Sequence, residues 1–153
     1  MGKEIERKFL VRDRQFETEA TEKFEIRQAY LNDCPDATVR LRVIDTKAWL
    51  TVKSRNHGAE RGEWEYEIPV SDAMEMIEAT GTPCLFKTRY IIPAADGLKW
   101  EVDEFHNPCA GLVVAEIELP SSDTAITHPA WIGREVTGDP AYYNSVIAAK
   151  LKT

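Results

Sequence analysis

The sequence predicts an α+β protein built on an eight-stranded antiparallel β-barrel tunnel with a charged lumen. A few helices, one of them at the C-terminus, are expected to cover it. Three observations carry this expectation. A hydrophobic period of two, the strand period, dominates the chain. The connections between alternating segments are short, which favours antiparallel neighbours. One parity of nearly every segment consists of Glu, Asp, Arg and Lys.

Eight strand-like segments follow in order, near 3–11, 24–31, 38–45, 48–54, 61–68, 84–92, 98–105 and 112–119. Asn32 to Pro35, Asn56-His57-Gly58, Pro93 to Gly97 and Asn107 to Gly111 punctuate them. Asp72, three residues before Glu75, is placed to cap a short helix that carries Met74 and Ile77 and stops at Gly81. Asp139 followed by Pro140 opens a C-terminal helix with Tyr143, Val146, Ile147 and Leu151 on one face. Residues 12–20 suggest a further short helix. No linker, repeat or low-complexity tract divides the chain, so one domain over 1–153 is expected.

Sorted by parity, Glu4, Glu6 and Lys8 oppose Ile5, Phe9 and Val11. Arg40 and Arg42 oppose Val39, Leu41 and Val43; Lys53 and Arg55 oppose Leu50 and Val52. Arg61, Glu63, Glu65 and Glu67 oppose Trp64, Tyr66 and Ile68. Lys87 and Arg89 oppose Phe86, Tyr90 and Ile92; Lys99, Glu101 and Asp103 oppose Trp100 and Val102; Glu116 and Glu118 oppose Ala115, Ile117 and Leu119. A sheet with one solvated face also alternates. Such a face normally mixes in Thr, Ser and Gln, whereas these are almost wholly ionic. Closing eight strands into a barrel removes exposed edges and turns the ionic face inward. The apolar face then points outward and needs helices over it. So many charges in one lumen must be paired, hydrated or liganded. Clustered carboxylates suit hard cations such as Mg²⁺ or Mn²⁺, and Arg and Lys suit phosphate oxygens.

The formal net charge of −7 argues against a duplex nucleic-acid or membrane partner. Cys34, Cys84 and Cys109 form no CxxC pair and read as buried or semi-buried thiols in a reducing compartment. With no signal-like or membrane-length apolar run, a cytoplasmic protein is expected.

Glu4-Ile5-Glu6-Arg7-Lys8 resembles the ExExK signature of the CYTH superfamily, the triphosphate tunnel metalloenzymes. The resemblance continues through Arg40-Leu41-Arg42, Lys53, Glu63 with Glu65, Lys87-Thr88-Arg89, Glu101-Val102-Asp103 and Glu116-Ile117-Glu118, and ends at Glu135 to Asp139. It implies an eight-stranded tunnel and metal-dependent hydrolysis of a triphosphate. Carried over by motif, Glu4, Glu6, Glu63, Glu65, Asp103, Glu116 and Glu118 would hold metal. Lys8, Arg40, Arg42, Lys53, Lys87 and Arg89 would hold phosphates. Gln28-Ala29-Tyr30-Leu31 is similar to short bacterial inorganic triphosphatases, which implies that Lys8 and Tyr30 cooperate in catalysis. Tyr30 reads equally well as a packing aromatic.

Other chemistries lack their motifs: there is no GxxxxGK[ST], no GxGxxG and no nucleophile elbow. His57, His106 and His128 read as surface residues in loops. The expected activity is conversion of inorganic triphosphate to pyrophosphate and phosphate with Mg²⁺ or Mn²⁺. The alternatives are a class IV-type adenylate cyclase, a hydrolase of thiamine triphosphate or a nucleoside triphosphate, and a non-catalytic polyphosphate-binding module. The expected partner is a small-molecule triphosphate, and the sequence leaves room for a homodimer.

Overall fold

The computed structural model describes residues 2–152; residues 1 and 153, the ends of the expected domain, lie outside it. Its strands are β1 (Glu4–Val11), β2 (Glu22–Tyr30), β3 (Ala37–Ile44), β4 (Lys47–Ser54), β5 (Glu60–Arg61), β6 (Glu63–Ile68), β7 (Leu85–Pro93), β8 (Lys99–Asn107), β9 (Val113–Glu118) and β10 (Ile132–Glu135). Three α-helices accompany them: α1 (Phe16–Glu19), α2 (Val70–Thr80) and α3 (Asn144–Ala149).

The hydrogen-bonded order is β10-β1-β9-β8-β7-β2-β3-β4-β6, and every pairing is antiparallel. This path has nine strands rather than the expected eight. The added strand is β10, whose Ile-Gly-Arg-Glu is too short to show alternation. The expected segment 61–68 is also divided, at Gly62. A Cβ there would sit 2.7 Å from the Trp64 ring and 2.8 Å from Ser54 Oγ, so only glycine fits. The short β5 before this break pairs with β1 through Glu4↔Arg61 and Ile5↔Glu60. That pairing draws the two ends of the sheet together and nearly closes the barrel.

Most of the apolar parity points outward, as expected. Phe9, Trp100, Val102 and Ile117 form a core beneath Phe16 of α1 and Trp131. Its rings meet edge to face, with centroids 5.6 Å apart for Phe9–Trp100 and 5.7 Å for Trp100–Trp131. Ala73 of α2 packs on Val43 and Ala48. Helical cover is incomplete, because Trp64 and Tyr66 on β6 stay 44% and 61% exposed. α3 does something different. Its Ile147 and Ala148 join Tyr30, Leu85, Phe105 and Val114 in a cluster at one end of the lumen-facing parity. Each large side chain buried there is worth about 1.5–3 kcal/mol.

Several local expectations are corrected. Asp72 lies inside α2, and Pro69 occupies the N-cap position with no side-chain cap, although the stop at Gly81 (φ 64°) is as expected. Asp139 accepts from Ala141 N at 3.1 Å and so caps a 3-10 turn over 140–142, while α3 begins only at Asn144. His106 is not in a loop; it lies on β8 and its Nε2 is 2.6 Å from Thr88 Oγ1. Cys34 is exposed rather than buried, and all three thiols are free. Among the described residues no helix is long and apolar enough to cross a membrane.

Candidate functional site: a tunnel with two charged walls

Register determines which charges meet. β1 and β9 set Glu6 opposite Glu118 and Lys8 opposite Glu116. β2 and β3 set Gln28 opposite Arg42 and Tyr30 opposite Arg40. β4 and β6 set Lys53 opposite Glu63 and Thr51 opposite Glu65. Because side chains alternate, all of these project to one face of the sheet. All but the fully buried Gln28 and Thr51 line a cavity of about 230 Å³. Strand order sorts the lumen by charge: β6, β1 and β9 carry mostly acids, whereas β3 and β7 carry bases.

On the basic wall, Asp103 is 1% exposed and sits behind the cavity rather than in it. Its carboxylate accepts from Lys87 Nζ at 2.7 Å and from Arg89 Nε and Nη2 at 2.7 and 2.8 Å. Arg89 Nη1 also reaches Glu101 at 3.1 Å, and Lys87 Nζ reaches Asn144 Oδ1 at 2.7 Å. Burial would raise the Asp103 pKa, but Arg89 and Lys87 together hold it far below the carboxylate range. Lys87 moves the other way. Burial lowers its pKa to about 7, and Arg89 and Arg42 add to that, because one carboxylate is shared between two cations.

Arg40 and Arg42 are less fully matched. Arg40 Nη2 donates to Thr51 Oγ1 at 3.2 Å and Glu65 Oε2 at 3.4 Å, while its buried Nε has no partner among the described residues. Arg42 donates from Nε to Gln28 Oε1 at 2.9 Å and, among the described residues, forms no ion pair with a carboxylate. Burial, with Arg40 and Arg89 nearby, lowers its pKa to about 10. A half-buried guanidinium with no carboxylate partner among the described residues, beside an unpaired N–H, is a site that an anion would complete.

The acidic wall has the opposite deficiency. Lys53 Nζ contacts Glu4 at 3.1 Å and Glu63 at 3.2 Å, and Lys8 Nζ contacts Glu116 at 3.4 Å and Tyr142 O at 3.0 Å. Burial disfavours the Lys8 ammonium, yet Glu116 and Glu6 outweigh it and hold its pKa above the usual value. These lysines do not neutralise the wall. Burial raises Glu4, Glu6 and Glu118, and carboxylate neighbours push each of them further up. Carboxylates that lift one another's pKa are hard oxygen donors short of a cation, and this donor set fits a divalent ion. Among the described residues no three of them are already gathered as a metal cage.

The cavity thus brings together Lys8, Tyr30, Arg40, Arg42, Lys53, Lys87, Arg89, Glu4, Glu6, Glu63, Glu65, Glu116 and Glu118, leaving only Asp103 behind the wall. Arg61 and Glu101 also line it, whereas Arg55, Glu67 and Lys99 share the parity but fall outside the lining. Arg55 instead pairs with Asp36. Parity fixes a face, not a depth, and these three lie towards strand ends. Sequence reasoning gave no site role to Asn56, Tyr143 and Asn144, which also line the cavity but are neutral and carry no charge signal.

A family model described as the CYTH domain matches residues 2–143. The chain belongs to the CYTH family. Two CYTH-length relatives are each named inorganic triphosphatase. One, from Acetivibrio thermocellus, is 47% identical over 146 residues, covering 95% of this chain and 92% of its own. The other, from Nitrosomonas europaea, is 36% identical over 151 residues, covering 97% and 98%. A solved structure of an inorganic triphosphatase is 34% identical, with a TM-score of 0.65, and covers 94% of this chain and 96% of that one. The tunnel is therefore built on the CYTH scaffold.

Proposed function

We propose that this protein hydrolyses inorganic triphosphate to pyrophosphate and phosphate with the help of Mg²⁺ or Mn²⁺. The observation that carries the reading is the pairing of an anion-deficient basic wall with a cation-deficient acidic wall around one small space. At about 230 Å³ that space falls below the roughly 300–1,000 Å³ of pockets for larger organic ligands, which favours a compact inorganic chain. The full-length similarity to proteins named inorganic triphosphatase supports the same substrate.

Phosphoryl transfer asks mainly for positioning and charge neutralisation. Arg40, Arg42, Lys87 and Arg89 grip phosphate oxygens, and Asp103 keeps the last two aimed. Glu4, Glu6, Glu63, Glu65, Glu116 and Glu118 supply the donors from which a divalent ion would take its ligands. That ion, when bound, neutralises the developing charge on the phosphate oxygens. Lys8 and Tyr30 face the terminal phosphate. Water adds to its phosphorus, the bridging P–O bond breaks, and pyrophosphate and phosphate leave. Free thiols suit a cytoplasmic location.

A second cavity favours a second reading. It measures about 460 Å³, is lined by Pro35, Pro83, Val146 and Ala148, and shares Tyr30, Asn56 and Tyr143 with the tunnel. An organic group on a triphosphate would fit there, as in a nucleoside triphosphate hydrolase or cyclase. Incubation with tripolyphosphate, ATP and thiamine triphosphate in turn, with product identification, separates the two. The account expects tripolyphosphate to be the preferred substrate; a higher kcat/KM on ATP, or a cyclic product, would replace the first reading with the second.

A further inference from the structure

We propose that Gln28, which contacts no carboxylate and reads as a plain polar residue, is the positioning residue that orients both Arg42 and Tyr30 toward the substrate. The inference rests on the triphosphatase reading for what the substrate is, and on geometry for what Gln28 does.

Gln28 is 1% exposed, and its amide lies between two groups of the tunnel. Its Oε1 accepts from Arg42 Nε at 2.9 Å, and its Nε2 donates to the Tyr30 hydroxyl oxygen at 3.2 Å. This amide orientation is forced. A guanidinium can only donate, so the oxygen must face Arg42 and the NH₂ must face Tyr30.

Two consequences follow. Arg42 spends its side-on Nε–H on a neutral acceptor, which leaves both terminal nitrogens for an incoming anion and leaves the positive charge uncancelled. The Tyr30 oxygen receives a hydrogen bond, so its own proton must be given elsewhere. Neighbouring Lys8 and Arg42 are donors only and cannot take it. Among the described residues no acceptor receives it, which leaves that proton for a phosphate oxygen of the ligand. Tyr30 therefore acts as a hydrogen-bond donor to substrate rather than as a base toward water.

An amide, not a carboxylate, is what this position needs. Gln28→Glu keeps the shape but would neutralise Arg42, repel the anion and draw the Tyr30 proton to itself. It would also give the half-buried Arg42 a counter-ion, so the fold is not expected to weaken.

The test compares wild type, Gln28→Glu and Gln28→Leu by steady-state kinetics on tripolyphosphate and by thermal melting, each also in a Tyr30→Phe background. The expected result for Gln28→Glu is a kcat/KM loss of about tenfold or more with a melting temperature no lower than wild type. The kcat part of that loss should shrink in the Tyr30→Phe background. Binding is read separately, as the melting shift that tripolyphosphate with Ca²⁺ produces; it should be smaller in Gln28→Glu than in wild type. Wild-type kinetics in Gln28→Glu, or activity that simply tracks melting temperature across both variants and adds fully with Tyr30→Phe, would overturn the inference. A wild-type enzyme inactive on tripolyphosphate would instead overturn the functional reading, while the melting shifts would still decide whether Gln28 sets anion binding.

Discussion

The basic and acidic walls of the tunnel are built from the same alternation, yet the fold fixes the direction of the charges on one and crowds like charges on the other. On the basic wall, Asp103 locks Lys87 and Arg89, Gln28 turns Arg42, and Thr51 holds Arg40. Every cation there has a neighbour that fixes its direction before any ligand arrives. On the acidic wall, burial first and carboxylate neighbours second raise the pKa values of Glu4, Glu6 and Glu118, and Lys53 beside Glu4 offsets this only in part. One wall is pre-organised, and the other gathers carboxylates whose neighbours disfavour their charge. Pre-organisation is where electrostatic catalysis gains most, because oriented charges need not rearrange as the reaction proceeds.

The largest break in this comparison should come from Asp103. Replacement by Asn leaves two buried cations sharing no carboxylate, and losing one partner of such a network destabilises by about 3–5 kcal/mol. Urea unfolding of Asp103→Asn should show that loss; a change below about 1 kcal/mol would mean the basic wall does not depend on its buried anion.

Next in size is the terminal phosphate grip. Tyr30→Phe keeps the ring in its apolar cluster and removes only the hydroxyl. Turnover should slow by about ten- to a thousandfold, or about 1.4–4 kcal/mol of barrier, with KM nearly unchanged. Normal turnover would return Tyr30 to packing alone. Arg42→Lys sharpens the same wall. Lysine restores charge without the fork, so kcat/KM on tripolyphosphate should recover only part of what Arg42→Ala loses. Full recovery would mean that charge alone matters there.

The smallest effect lies outside the tunnel and serves as a control. Arg7 holds Glu135 by two hydrogen bonds of 2.9 and 2.7 Å, tying β1 to β10 at the surface. The bond to Arg7 lowers the Glu135 pKa. The pair's contribution is therefore complete above the ordinary carboxylate pKa and fades as pH falls through the lowered one. With solvent screening, Glu135→Gln should lose roughly 0.2–1 kcal/mol at pH 7. The gap between variant and wild type should close in acid. A gap that widens in acid would reverse the sign argument.

How much of this was legible in the sequence depended on how loudly each residue speaks. Alternation in segments such as Arg40-Leu41-Arg42 and Glu116-Ile117-Glu118 was enough to assign faces, because a one-residue slip would invert them. β10 was silent, since four residues including a glycine show no period. Lys99 and Glu67 had the right parity and the wrong depth, which only barrel closure decides. Asp103 was legible as an acid of the motif, but its place behind Lys87 and Arg89 depends on cross-strand register. Gln28 was quoted within its segment without a role, because an amide advertises nothing until its neighbours across the sheet are known.

The central claim is that the two walls act on one substrate, with a divalent cation completing the acidic one. Phosphorus NMR of tripolyphosphate incubated with the protein and Mg²⁺, before and after excess EDTA, tests it most directly. The account predicts conversion to equal amounts of pyrophosphate and phosphate, arrest on chelation, and recovery when Mg²⁺ or Mn²⁺ is restored. Undiminished turnover in excess EDTA would contradict it.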